Sequence, residues 1–118
     1  ICDPKPTTKK KVGKMFSCCR GGEQGFNVGP TDLNLLNAFF LDNRNQDPIE
    51  KIKNIVDENT KAKGWLIFAT HDINDKPSKY GCSKKVLEEI VQHSVKSGAL
   101  LLPVGKAYNY IQHNRLFH

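Results

Sequence analysis

The chain has 118 residues, 38% hydrophobic and 25% charged, with a formal net charge of +6. That length suits one globular domain and excludes a full eight-stranded α/β barrel of roughly 250 residues. No apolar stretch approaches the roughly 20 residues needed to cross a bilayer, and no signal-peptide pattern is present. The expected compartment is cytoplasmic, with no membrane association. An opening at Ile1 rather than Met reads as either an artificial edge or a cut from something longer.

In chain order, the first feature is a basic arm over residues 1–11. Residues 1–20 hold six basic side chains and one acidic, whereas the remainder hold twelve and eleven. A short Lys/Pro/Thr tract reads as solvated chain, with an arm that samples phosphates or anionic polymers as the lesser alternative. Because the charge sits in this tract and no binding motif accompanies it, a nucleic-acid partner is not expected. "VGKMFSCC" then reads as a first strand, ended by the polar "RGGEQGFNVG". Cys2, Cys18, Cys19 and Cys82 form no C-x-x-C pair and no metal-ligand spacing, which suits reduced, packed thiols.

Pro30-Thr31-Asp32 opens a short turn or helix carrying Leu33 and Leu36, and "AFFLD" is a second strand-length run. The next helix is the most clearly signalled. Asp47 can cap it, Pro48 fits its first position, Glu50 completes a capping box, and Gly64 stops it. Ile49, Ile52, Ile55 and Val56 repeat at helical spacing along it. "WLIFA" follows as a continuous apolar run, the pattern of a strand buried on both faces.

Ser83 caps a further helix with Val86, Leu87, Ile90, Val91 and Val95 on one side and Gly98 at its end. "ALLL" reads as a last strand, and Val104, Ala107, Tyr108 and Ile111 mark a closing helix. Strands alternating with amphipathic helices predict an α/β fold with a mainly parallel sheet of about four strands and flanking helices. The predicted organisation is a basic arm over 1–11, one domain over 12–113 and a tail over 114–118.

In such folds the loops at the C-terminal strand ends converge on the site. Three predicted strands end in polar residues: Arg20, Asp42 and the His71-Asp72 pair. An imidazole can serve as acid or base near neutral pH, and a neighbouring carboxylate can fix its tautomer. An arginine can orient a carboxylate bidentately. The blander alternative is that Asp42 and Asp72 cap loops while His71 bonds to backbone.

"CCRGGEQGFNVGPTDLNLL", "GWLIFATHDINDKPSKYGCSKKVLEEIV" and "GALLLPVGKAYNYI" resemble the C-terminal half of the polysaccharide deacetylases, the carbohydrate esterase family 4 or NodB-homology group. The similarity runs from about Val12 to Ile111. It implies the C-terminal half of a distorted (β/α) barrel that removes N-acetyl groups from polysaccharide. By resemblance His71 matches the general acid and Arg20 the arginine that orients the catalytic carboxylate. Asp42 matches the acidic partner of the histidine, in surroundings that fit the motif poorly. Ala69 stands where many members have Leu.

The family's paired aspartates and H-x-x-x-H metal motif have no counterpart here. His93 falls within a helix, and His113 and His118, five apart, do not align two ligands on one helix face. No metal is therefore expected in this chain, and zinc only if a missing N-terminal half is supplied. Without metal, water is a poor nucleophile near neutral pH. The expected function is a deacetylase-like half-barrel, inactive alone or part of a split or truncated enzyme. The alternative is a non-catalytic module that self-associates or binds carbohydrate, with Tyr80 available for stacking and Trp65 in the core. Uncovered strand edges and inner sheet faces predict a homodimer.

Overall fold

The computed structural model describes residues 5–15, 25–28, 36–42 and 48–114. Its elements are α1 (Pro6–Met15), β1 (Phe39–Phe40), α2 (Ile49–Ala62), β2 (Phe68–Ala69), α3 (Lys84–Lys96) and α4 (Val104–Asn114). The chain divides into two compact units. The first comprises Ile1–Phe39, Gly64–Ile67 and Leu102–His118; the second comprises Phe40–Lys63 and Phe68–Leu101.

In the first unit, Leu36, Ala38, Trp65, Ile67 and Ile111 form a buried cluster, with Ala107 and Tyr108 packed against it. Ile111, Ala107 and Tyr108 stand at helical spacing on α4, so the closing helix presents three of its four expected apolar residues to this core, while Val104 in its first turn is 45% exposed. Asn27 is the polar member of the region, 3% exposed. Its backbone exchanges hydrogen bonds with Trp65, at 2.9 and 2.7 Å. Its side-chain amide donates to the carbonyls of Asn37 and Trp65, and its oxygen accepts the Asn37 amide. The side chain thus satisfies the part-buried amide and carbonyl of Asn37 and adds a second bond to the Trp65 carbonyl, which the Asn27 amide already reaches.

The second unit is built on a strand–helix–strand–helix run. α2 buries Ile52 and Val56, and α3 buries Ile90 and Ser94. Ser83 caps α3 as the sequence implies, its hydroxyl accepting the Val86 amide at 3.2 Å. α2 starts one residue later than expected: Pro48 is the extended residue before Ile49 and makes no side-chain cap. Its stop is also displaced by one, because the left-handed residue is Lys63 (φ 53°, ψ 43°) and not Gly64. Asp47 and Leu33 lie outside the described residues.

The four-stranded parallel sheet, and with it the half-barrel, is corrected by the structure. Among the described residues the sheet has two strands, β1 and β2. Their register is parallel, with the Phe39 amide donating to Ile67 and the Leu41 amide to Ala69, both at 2.8 Å. Val12–Met15 of the expected first strand belong to α1; unbranched lysines favour a helix over a pleated strand. The expected last strand is not a strand, and Leu100, Leu101 and Leu102 are 61%, 49% and 38% exposed. A leucine run lacks the β-branched side chains that suit a sheet, and Gly98 (φ 87°) turns the chain just before it.

"WLIFA" is likewise not buried on both faces. Trp65 and Ile67 are buried while Leu66, Phe68 and Ala69 are half-buried. On α3 the buried side runs through Ile90 and Ser94, and Val91 and Val95 are left 41% and 59% exposed.

Candidate functional site

The loop from Thr70 to Cys82 follows β2 and precedes α3. Its base is pinned by the Thr70 hydroxyl, which donates to the Leu41 carbonyl at 2.8 Å. Its two arms are joined by backbone bonds: His71 amide to Tyr80 carbonyl at 3.2 Å, Cys82 amide to Asp72 carbonyl at 2.9 Å, and Asn74 amide to Cys82 carbonyl at 3.3 Å. Cys82 is a buried free thiol packed as a small apolar side chain.

Asp72 organises the turn between those arms. Its carboxylate accepts the Ser78 amide at 2.8 Å, the Ser78 hydroxyl, and the Asn74 side-chain amide at 3.0 Å. Asn74 in turn accepts the Lys76 amide at 2.8 Å, and the Ser78 hydroxyl accepts the Tyr80 amide at 3.3 Å. Hydrogen bonds from the Ser78 hydroxyl and then the Ser78 amide hold the Asp72 carboxyl below its usual value. Asn74 adds to this, and the charge of His71 contributes least.

Gly81 faces the same carboxylate. A Cβ there would stand 2.2 Å from Asp72 Oδ1 and 2.4 Å from the Asp72 carbonyl oxygen, so a side chain at 81 would displace the turn. Glycine is required by close approach, not by an unusual φ.

His71 is exposed and lies just past the end of β2. The partners found for the neighbouring carboxylate are Ser78 and Asn74, so the Asp72 hydrogen bonds build the loop. The His71 imidazole instead meets the Tyr80 ring, with centroids 5.4 Å apart and planes at 45°. Tyr80 is 40% exposed, and the Lys79 ammonium lies over its ring at 5.2 Å from the centroid. The outcome is an exposed group of two rings and a cation on a well-bonded loop.

Asp42 follows β1 and is half-buried. Because β1 and β2 run in parallel, Asp42 and His71 leave the same end of the pair. Arg20 lies outside the described residues, as do Cys2, Cys18, Cys19 and His118. Trp65 is 8% exposed and belongs to the core. His113 is exposed in the last turn of α4.

Among the described residues, a close imidazole–carboxylate pair lies elsewhere. His93 Nε2 on α3 stands 2.8 Å from Asp57 Oδ1 on α2, and Lys53 on α2 stands 3.9 Å from Glu89 on α3. The two pairs are one helical turn apart on each helix and share one sequence offset, so α2 and α3 run in the same direction where they touch. Beside them is an open cleft of about 170 Å³ lined by Lys53, Glu89, Gln92, His93 and Lys96. These half-exposed pairs align the helices and contribute modestly. Their sequence signal was the matched i, i+4 spacing of Lys53-Asp57 and Glu89-His93, visible once the two helices are known to pack.

Among the described residues, no group of three or more His, Cys, Asp or Glu side chains could hold a metal ion. The family resemblance assigns its zinc ligands to a metal motif that has no counterpart in this chain and gives His71 the role of acid, not ligand; the Asp72 oxygens beside it are engaged by Ser78 and Asn74. Among the described residues no helix is long and apolar enough to cross a membrane. No protein-family model, no curated protein and no solved structure matches the chain, so its likeness to the polysaccharide deacetylases rests on the quoted stretches alone.

Proposed function

We propose that this chain is a non-catalytic module of polysaccharide-deacetylase descent that contacts N-acetylated polysaccharide through the 70–82 loop and does not cleave it. The observation that carries this reading is the engagement of Asp72 by Ser78 and Asn74. A carboxylate bonded in that way fixes the turn that carries His71, Lys79 and Tyr80. Tyrosine offers a sugar ring an apolar face with a polar tip, and the imidazole and ammonium can hydrogen-bond hydroxyl or acetamido groups. Arg20 and Asp42 enter this reading as marks of descent, with His71 as the group that touches the ligand. Such a surface, with one aromatic ring and few donors, implies weak binding.

The test combines two measurements on the full chain. Incubated with an N-acetylated chito-oligosaccharide, with and without added zinc, the protein should release no acetate. Titrated with the same oligosaccharide, its backbone amide resonances from His71 to Gly81 should shift in a saturable way at about millimolar ligand, near −4 kcal/mol. Tyr80→Ala should abolish those shifts. Acetate release would overturn the non-catalytic reading, and unshifted loop resonances would overturn the carbohydrate reading. A second reading, self-association, is favoured by the exposure of Val95, Leu100 and Leu101.

A further inference from the structure

We infer that the lysine-rich helix α1 binds the phosphate backbone of double-stranded nucleic acid without reading its sequence. Composition alone made the first residues a solvated arm, and the structure makes Pro6–Met15 a helix. That change matters because a helix fixes the spacing of charges that an unstructured tract would spread apart. α1 carries four lysines and no acidic residue. Lys10, Lys11 and Lys14 are exposed on it, and Lys5 is exposed just before its start. Lys10 and Lys14 are one turn apart, about 6 Å along the axis, and Lys11 stands about 100° around from Lys10.

Like charges one turn apart repel within a helix. No acidic side chain on α1 relieves them, and the first 20 residues carry a net excess of five positive charges against one for the rest of the chain. A polyanion lying along this face removes the repulsion and releases its own condensed counterions. The chemistry of α1 narrows the choice of polyanion. Its apolar residues beyond Pro6 are Val12 and Met15, too few for the apolar face with which an interfacial helix enters a membrane. Lysines are flexible point charges without the fork of arginine, so they respond to charge density more than to the shape of an anionic group. A nucleic-acid duplex presents one negative charge per roughly 1.7 Å of axis, a denser array than a sugar polymer with at most one carboxylate on each residue.

The experiment uses the full chain and a fluorescently labelled mixed-sequence duplex of about 20 base pairs, followed by anisotropy at about 50 and 200 mM salt. Contacts from three or four lysines predict a loss of affinity of about 40- to 150-fold between those conditions. The triple variant Lys10→Gln, Lys11→Gln, Lys14→Gln should bind at least about tenfold more weakly at the lower salt and show a shallower salt slope. Glutamine keeps helix propensity, and circular dichroism checks that the fold is retained. Lys84→Gln with Lys85→Gln, which removes exposed charge from α3, should leave binding unchanged. The inference is overturned if no saturable binding appears below about 100 µM duplex at the lower salt. It is equally overturned if both sets of variants weaken binding alike. Tighter binding to hyaluronate or to anionic phospholipid vesicles, at equal charge concentration, would assign the helix to that partner instead.

Discussion

Asp72 shows how a single carboxylate can serve structure where its neighbour suggests catalysis. Its lowered pKa, caused first by the Ser78 hydroxyl and next by the Ser78 amide, links the loop to pH. A carboxyl whose folded value lies below its unfolded value contributes stability that is complete above the unfolded value and is lost as pH falls through the folded one. The 70–82 loop should therefore loosen at the acid end, below the usual aspartate range near 3.9. Amide hydrogen exchange or resonance dispersion at Ser78 and Cys82, followed from about pH 6 downward, reports it. Asp72→Asn should already be loosened at pH 6 and change less on acidification. An acid limb equally steep in that variant would show that another group is responsible.

At the scale of elements, the cap chemistry of α2 is the most informative departure. Lys63 holds the left-handed position that ends the helix, its amide bonded toward Asn59 and Thr60, while the glycine stands one residue later. A side chain at positive φ carries a steric cost that glycine avoids. Lys63 is exposed, so its replacement removes no packing. Lys63→Gly should stabilise the protein by about 0.5–1 kcal/mol, seen as a higher urea midpoint at unchanged slope. A lower midpoint would mean that the lysine side chain contributes more than its backbone strain costs. The α2–α3 contact follows a different logic: Ile52, Val56 and Ile90 supply buried area, and the two matched polar pairs set the stagger.

For the molecule as a whole, the expectation of self-association needs a new physical basis, because the open sheet of a half-barrel is not there. Val91, Val95, Leu100 and Leu101 of the second unit supply one: all four are more than 40% exposed. Apolar area of that kind is commonly covered by a partner, and a second copy in a closed two-fold arrangement is the frequent solution. We expect light scattering at about 100 µM to give a mass above the 13.3 kDa of one chain, near the weak end of protein association. Leu100→Lys with Leu101→Lys should restore the single-chain mass. A clean 13.3 kDa species for the unaltered protein would count against self-association.

Local chemistry made several features legible in the sequence. The Ser83 cap, the 3.6-residue repeat of Ile52 and Val56, the apolar side of α4 and the burial of Trp65 each depend on residues close in the chain, and the structure shows each one. Pairing between distant segments was not legible. "WLIFA" and "ALLL" look alike as apolar runs, yet β2 lies beside β1 while Leu100–Leu102 stay exposed, because a strand exists only where another offers it hydrogen bonds. The same limit governed the site. Adjacency of His71 and Asp72 in sequence suggested a working pair, but a carboxylate bonds to whatever donors the folded loop brings within about 3 Å. Those donors came from Ser78 and Asn74. The sequence by itself determined the Ser83 cap and the buried repeat of Ile52 and Val56, because those depend on neighbours in the chain, but not the helix over Pro6–Met15 or the exact start of α2. Tertiary structure decided which distant side chains meet, since only packing sets those distances.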